Sequence, residues 1–365
     1  MDYIEIEGYK SIKELKLELK PINILIGSNG VGKSNFISFF KLLNAIFNQR
    51  LQRYILEENA DDILYFGRKK TEKLFGKLIF GNGEHNNAYH FTLAQTKDGG
   101  LFIEKESSGY KVSKDDNNKG YNYSIDVLES NFSQSDNYRN RYLRGYLSSV
   151  QVFHFHDTTS TSYLRKECDI NDNVYLKQDG RNLPAFLHLL KKKHLKNFIR
   201  IEQAIQSIAP YIEKLIVEPS LLNPTEIQLR WVEKNDIDSN FSAYQLSDGT
   251  LRFIALATLL LQPNPPKTII IDEPELGLHP FAINKLAGMI QVASSKSQII
   301  IATQSPGLIS YFQPEDVIVT DRSESEKQTV FKRLDPKSLE KWLSEYSLGD
   351  LWERNIINAA QPFIK

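Results

Sequence analysis

The chain predicts an α/β protein with an antiparallel β lobe, a short helical lid inserted within the chain, and a parallel-sheet core. Three observations carry that expectation. Residues 72–128 hold four strand-like runs, KLFGKLIFG, YHFTLAQ, GLFIEK and YNYSIDVL, set apart by Gly, Asn and Asp turns. From residue 244 onward strands and helices alternate, the order of a parallel sheet covered on both faces. Between these regions, residues 183–215 change to a helical period. The expected boundaries are an N-terminal lobe over 1–165, a lid with return strands over 166–232, and a C-terminal lobe over 233–365.

Taken in order, residues 2–7 and 14–18 alternate apolar and polar about a turn at Gly8 to Ser11. PINILIGSNGVGKSNFISFFKLLNAIF then reads as a short apolar strand, a glycine-rich loop and a long apolar helix. The stretch 113–122 is expected at a mobile hairpin tip, and residues 148–157 as a further strand. LPAFLHLLKKKHLKNFIRIEQAIQSIAPYIEKL reads as two helices broken near Pro210, too short for a long coiled-coil arm. Residues 214–232 return to strand. A helix from about 248 follows, then the strand TIIIDE, another helix, the strand QIIIATQS, a last strand DVIVTD and a helical tail. No internal repeat is present.

Composition narrows the function. Of 365 residues, 41% are hydrophobic, ordinary for a globular protein. Lys plus Arg and Asp plus Glu both count 45, so no global field draws the chain to nucleic acid or membrane. Any such binding needs a local patch. The single cysteine, Cys168, excludes an internal disulfide and suits a reducing compartment. MDYIEIEGYK is acidic and strand-like, unlike a signal peptide, and no apolar run approaches the roughly 18 residues that span a bilayer. The expectation is a cytoplasmic protein with no membrane partner.

The run Gly27, Ser28, Asn29, Gly30, Val31, Gly32, Lys33, Ser34 fits G-x-x-x-x-G-K-[ST], with a strand before it and a helix after it. Its glycines let backbone N–H groups turn inward around phosphate oxygens. Lys33 reaches the β- and γ-phosphates, and the Ser34 hydroxyl is a Mg²⁺ ligand. The helix that follows presents its positive end to the same anion.

Asp272 and Glu273 stand side by side at the end of TIIIDEPELGLHP. Two like charges there resist burial and require a cation or a proton to accept. In a phosphate-loop NTPase a second strand ends in an Asp that holds Mg²⁺, which suits Asp272. Glu273 would point the other way, towards attacking water as general base. A third stretch, YQLSDGTLRFIALATLLL, opens a strongly apolar helix at Leu246-Ser247-Asp248-Gly249-Thr250, making a second anion site. One chain has no use for two γ-phosphate sites. Two chains do, if each one's LSDG faces the ATP held by the other.

With these residues in place the sequence resembles the ABC-type ATPase superfamily, in its RecF/SMC-like branch. The resemblance covers nearly the whole chain: EGYKSIKELKLEL, GSNGVGKSN, LSDGTLR, IIIDEPELGLHP and ATQSP occur in the branch's order. It is most similar to stand-alone ATPases of this length with an HFHDT stretch and an LGDLW-type tail. It implies that ATP glues two heads into a homodimer and hydrolysis releases them, with ATP and Mg²⁺ as ligands. Carried over by position, Gly27 to Ser34 bind phosphate, Asp272 and Glu273 serve metal and water, and Ser247 and Gly249 act in trans. Leu278 to Pro280 form the crossing loop between protomers. Asn29 and Asn35 flank the phosphates, and Lys10 and Ser11 lie near the nucleotide. Members of the wider group often lie beside bacterial defence genes, so defence is an implied context.

The sequence departs from the branch at the switch position, where Gln304 replaces the usual histidine. Glutamine hydrogen-bonds a phosphate or water but carries no positive charge. Hydrolysis is therefore expected to be slow. The glutamine usual between the two main motifs is not identifiable; Gln49, Gln52 and Gln151 are the nearest. No acidic nuclease domain follows ATQSP, so any cutting of nucleic acid is expected to fall to another polypeptide.

Weaker signals have plainer readings beside the sharp ones. FHFHD offers His154, His156 and Asp157; on a strand the two histidines would share a face, but no further Cys or His supports a metal there. Lys191, Lys192, Lys193, Lys196 and Arg200 give the lid a basic face, either solvated or touching duplex DNA. Tyr138 to Arg144 is similarly basic and aromatic. Cys168 has no activating neighbour. In the tail, Leu348, Leu351 and Trp352 pack on the head or dock a partner. Two functions compete: a DNA-engaging motor or clamp in repair or defence, and an ATP-gated scaffold that holds a separate effector such as a nuclease or toxin. A transporter motor lacks its membrane segment.

Overall fold

A computed structural model describes residues 1–81, 86–110, 121–135, 138–220, 222–323 and 325–357. The chain divides into two compact units, Met1–Gln151 with Gln313–Lys365, and Val152–Phe312.

The first unit opens with β1 (Tyr3–Tyr9), β2 (Ile12–Glu18) and β3 (Ile22–Ile26), followed by α1 (Lys33–Phe47), α2 (Leu51–Glu58) and α3 (Ala60–Ile63). The meander β4 (Lys73–Phe80), β5 (Asn87–Gln95), β6 (Leu101–Tyr110) and β7 (Tyr121–Val127) comes next, then α4 (Tyr138–Leu147), and β8 (Val150–Phe153) runs across the boundary into the second unit. The antiparallel lobe read from the sequence is present, with strand order β2-β1-β4-β5-β6-β7. Its period-2 patterning fits a sheet that buries Ile4, Ile6, Leu74, Leu78, Tyr89 and Phe91 on one face. The expected hairpin tip at 113–122 lies almost wholly outside the described residues.

The second unit holds β9 (Cys168–Asp169), α5 (Leu183–Lys193), α6 (Leu195–Ile208), β10 (Ile212–Ile216), β11 (Glu226–Ile227), β12 (Arg230–Glu233) and β13 (Asp236–Ser242). It continues through α7 (Asp248–Leu261), β14 (Thr268–Asp272), α8 (Pro280–Ala293), β15 (Gln298–Thr303) and α9 (Pro306–Ile309). The chain then returns to the first unit with β16 (Val317–Ser323), β17 (Gln328–Arg333), α10 (Pro336–Leu343) and α11 (Leu348–Glu353).

Parallel pairing occurs in both units. β14 pairs with β15 in register, Asp272 opposite Ala302, and β16 pairs with β3, Val317 opposite Ile24. β3 is buried at all five positions, as a strand covered on both faces should be. α7 is buried from Thr250 to Leu261, which explains why its apolar run shows so little polar face.

Three expectations need correction. The helix pair breaks at His194, and Pro210 lies beyond the end of α6. Three lysines, Lys191 to Lys193, fill the last turn of α5, where cations complement the carbonyl end of a helix. The strand near 150 ends at Phe153, so His154 and His156 do not share a strand face. The last region adds a second strand, β17, antiparallel to β16. Its mixed burial hides it in the sequence, because hydrogen bonding to β16 rather than an apolar stripe holds it in place.

Candidate functional site

In the first unit the glycine-rich loop leaves β3 at Gly27 and enters α1 at Lys33. Gly32 caps the helix at φ 115°, ψ 8°, a backbone region open to glycine. A Cβ there would run into the Thr329 hydroxyl and lie 2.8 Å from Ser11 Oγ. The loop is therefore wrapped tightly at its base and open at its tip, where Ser28, Asn29 and Gly30 are exposed.

The base is held by a network that the motif does not reveal. Thr329 on β17 places its hydroxyl 2.8 Å from the Val31 carbonyl and 2.7 Å from Ser11 Oγ, while its N–H donates to the Ser11 carbonyl at 2.8 Å. Asn35 Nδ2 donates to Ser11 Oγ at 2.8 Å. Ser11 and Asn35, both tied to the nucleotide at the sequence level, thus act first on the loop itself.

Lys33 is only 6% exposed. Its ammonium donates to the carbonyls of Gly27 at 2.6 Å and Ser28 at 2.9 Å, so the charge sits over the concavity of the loop. Ser34, one residue on, is exposed. Lys33 with the turned loop amides fits a polyphosphate. The hydroxyl of Ser34 is a hard oxygen, a donor that suits Mg²⁺ better than a softer metal.

Beside the loop lies an open cleft of about 810 Å³, lined by Ser11, Asn35, Tyr65, Phe66 and the cations Lys10, Arg68, Lys69, Arg322 and Lys327, with Asp61 and Asp62. Lys10 is engaged by Glu58 at 2.8 Å. Arg68 is clasped by Asp61, whose carboxyl is held down at about 2 by that hydrogen-bonded guanidinium. Aromatic rings among cations, next to a phosphate loop, match the chemistry of a base and ribose.

In the second unit Asp272 ends β14 and Glu273 follows at φ 41°, left-handed and uncommon for glutamate. The Glu273 N–H donates to the Ala302 carbonyl at 2.8 Å, and Gln304 Nε2 donates to Glu273 Oε1 at 2.6 Å. The structure thus joins the expected base to the expected switch residue. Glu275, which the motif gave no reason to select, accepts a hydrogen bond from Thr303 Oγ1 at 2.5 Å. Its other oxygen is buried with no hydrogen-bond partner. Burial raises the Glu275 carboxyl above the usual range, against the lowering effect of the Thr303 bond.

The same unit carries the start of α7. Ser247 caps it, its oxygen accepting from the Thr250 N–H at 3.1 Å. Gly249 packs so closely that a Cβ would sit 2.5 Å from the Gly277 carbonyl. Ser247, Gly249, Gly277, Leu278 and His279 line one pocket of about 160 Å³. Ser247 and Gly249, expected to act in trans, therefore lie beside Leu278 and His279 of the expected crossing loop.

Other candidates resolve more plainly. Gln49 Nε2 donates to the Ser130 carbonyl, and Gln52 Nε2 to those of Leu101 and Leu128, so both amides brace the β lobe. His156 is exposed and gives its carbonyl to Arg252 at 2.8 Å. Among the described residues no group of three or more His, Cys, Asp or Glu is placed to hold a metal. Lys191 pairs with Glu218 at 2.9 Å, whereas Lys192, Lys193, Lys196 and Arg200 are exposed. Burial pushes the Cys168 thiol up to about 11, which suppresses the nucleophilic thiolate. Leu348 and Leu351 are buried, so the tail packs on the protein. The basic run at Tyr138 to Arg144 forms α4, where Arg144 donates to the Ser133 carbonyl at 3.0 Å. No helix among the described residues is long and apolar enough to cross a membrane.

Fold and motifs together define an ABC-type ATPase head of the RecF/SMC-like branch. Residues 22–310 match the AAA_21 family, described as "AAA domain, putative AbiEii toxin, Type IV TA system", and the chain belongs to that family. Across 82 residues it is 30% identical to the DNA replication and repair protein RecF of Acinetobacter baylyi, a match covering 21% of this chain and 23% of RecF's own length. An SMC head bound to the C-terminal winged-helix domain of ScpA has the same fold, with TM-score 0.60 and 15% identity over 94% of this chain and 99% of that one. So does the Pyrococcus furiosus Smc head with an extended coiled coil, bound to the C-terminal domain of ScpA, with TM-score 0.54 and 13% identity over 94% and 98% of the two chains.

Proposed function

We propose that this chain binds ATP with Mg²⁺, hydrolyses it slowly, and uses ATP to close a dimer of two copies in the cytoplasm. The observation that carries this reading is the pocket shared by Ser247, Gly249 and Leu278. A capped helix start beside a crossing loop is a second anion site in a chain that already owns a phosphate loop. Its natural ligand is the γ-phosphate held by another copy.

In this reading Gly27 to Ser34 cradle the phosphates, with Asn29 and Asn35 at their flank and Lys33 on the β- and γ-oxygens. Ser34 and Asp272 would hold Mg²⁺, which supplies charge neutralisation at those oxygens. Glu273 accepts the proton of the attacking water, and Gln304, bonded to it at 2.6 Å, fixes its orientation. Because Gln304 stays neutral, the developing charge is less well stabilised, and ATP acts more as a latch than a fuel.

The closed dimer would engage duplex DNA through Lys192, Lys193, Lys196 and Arg200, in repair or anti-phage defence. The exposure of those four side chains and the likeness to RecF support this. A second reading, an ATP-gated scaffold holding an effector protein, is favoured by the family's toxin–antitoxin description and by the ScpA domains seated on the SMC heads of the same fold. Light scattering of Glu273→Gln with ATP and Mg²⁺ separates them. A dimer strengthened by duplex DNA supports the clamp. A dimer indifferent to DNA supports the scaffold, and no change in mass removes the sandwich.

A further inference from the structure

Arg165 ends a single helical turn at Tyr163–Arg165 and is 5% exposed. No motif singled it out. Its Nε donates to the Thr158 carbonyl at 2.8 Å. Nη1 donates to the carbonyls of Ala243 and Leu246, and Nη2 to Asp248 Oδ1 at 2.7 Å. Four of the five guanidinium N–H groups are therefore committed. Two acceptors precede Ser247 and one follows it, so one planar side chain grips the signature turn from both sides.

A second arginine runs the opposite way. Arg252, on α7, donates through Nε to the Phe155 carbonyl at 2.9 Å and through Nη2 to that of His156 at 2.8 Å. The segment 155–165, which includes all but the first residue of the HFHDT stretch left without a role, is thus stitched to α7 at its start and one turn in. Among the described residues only Asp248, mostly exposed, forms an ion pair with Arg165. The buried guanidinium is held chiefly by backbone carbonyls. Such an arrangement fixes backbone geometry, and a lysine, with a point charge and no planar fork, cannot reproduce it.

We propose that Arg165 is the positioning residue of the signature turn. It sets the angle at which Ser247 and the free amides of α7 meet ATP held by a second copy. The inference rests on the ATP-sandwich reading.

The test places Arg165→Lys and Arg165→Ala in the Glu273→Gln background. It measures fluorescent ATP binding at high dilution, ATP-dependent dimerisation by light scattering, and the melting temperature. The expected result for Arg165→Lys is unaltered ATP affinity with dimerisation needing about tenfold more protein or higher, as loss of charged hydrogen bonds implies. With Glu273 restored, kcat should fall while KM for ATP holds. Dimerisation matching that of Glu273→Gln alone would overturn the proposal. So would loss of dimerisation in step with melting temperature and ATP binding, the mark of a merely structural role. If Glu273→Gln itself fails to dimerise, the sandwich reading falls first and the inference with it. Should Arg165→Ala not fold, the lysine variant alone decides.

Discussion

Replacing Gln304 with alanine removes the 2.6 Å hydrogen bond to Glu273 Oε1 and leaves the backbone near Glu273 otherwise intact. A hydrogen bond to a carboxylate is worth about 1.5–3 kcal/mol, which is about 10- to 150-fold in rate if the bond acts fully at the transition state. The positive φ of Glu273 adds a reason for the larger end. That conformation costs on the order of 1 kcal/mol or more and persists only while its surroundings enforce it. The anchor from the Glu273 N–H to the Ala302 carbonyl survives the substitution, so the strand end stays in place and only the carboxylate is freed. Single-turnover hydrolysis with enzyme in excess, beside fluorescent ATP binding, reads the two effects apart. The expected outcome is a rate lower by about one to two orders of magnitude at unchanged ATP affinity. A rate within about threefold of the wild type would refute the role of Gln304, since that is less than one charged bond is worth. Equal losses in binding and rate would refute it differently, by showing that Gln304 serves ground-state binding.

Thr329→Val should weaken ATP binding about fivefold or more, because a buried Val31 carbonyl left without its donor costs about 1–3 kcal/mol; titration calorimetry checks this, and Thr329→Ser should restore it. Glu275→Gln should stabilise the fold in a pH-dependent way. Burial raises the folded-state carboxyl, so between its unfolded and folded values unfolding releases a proton, and stability falls as pH rises. The variant's gain in melting temperature should therefore be smallest near pH 4 and grow to a plateau at higher pH; a gain independent of pH would contradict it. Neutralising Lys192, Lys193, Lys196 and Arg200 together should reduce the salt dependence of DNA binding by up to about four counterions, if the clamp reading holds. Lys191→Ala alone should do little, because Glu218 already holds that ammonium; filter binding over a salt series measures both.

Local chemistry made much of this protein legible in its sequence. The phosphate loop needs glycines, a lysine and a hydroxyl at fixed spacing, and that spacing survives in one dimension. The run of isoleucines into Asp272 and Glu273 betrays a doubly covered strand ending in charge. The antiparallel meander shows through period-2 patterning and its turn residues. The sequence misplaced the break between the lid helices, because His194 carries none of the glycine or proline signals that mark a stop.

Other features were decided by tertiary structure alone. Thr329 is 318 residues from Ser11, yet their hydroxyls stand 2.7 Å apart. Glu275 matters through Thr303, on a neighbouring strand. Arg165 grips carbonyls that lie 78 and 81 residues away. These contacts use backbone carbonyls and hydroxyls, which every sequence offers in abundance. A motif records only the groups that must touch the ligand. The residues that hold those groups in place follow from which elements the hydrophobic core brings together, and that is settled only when the chain has folded.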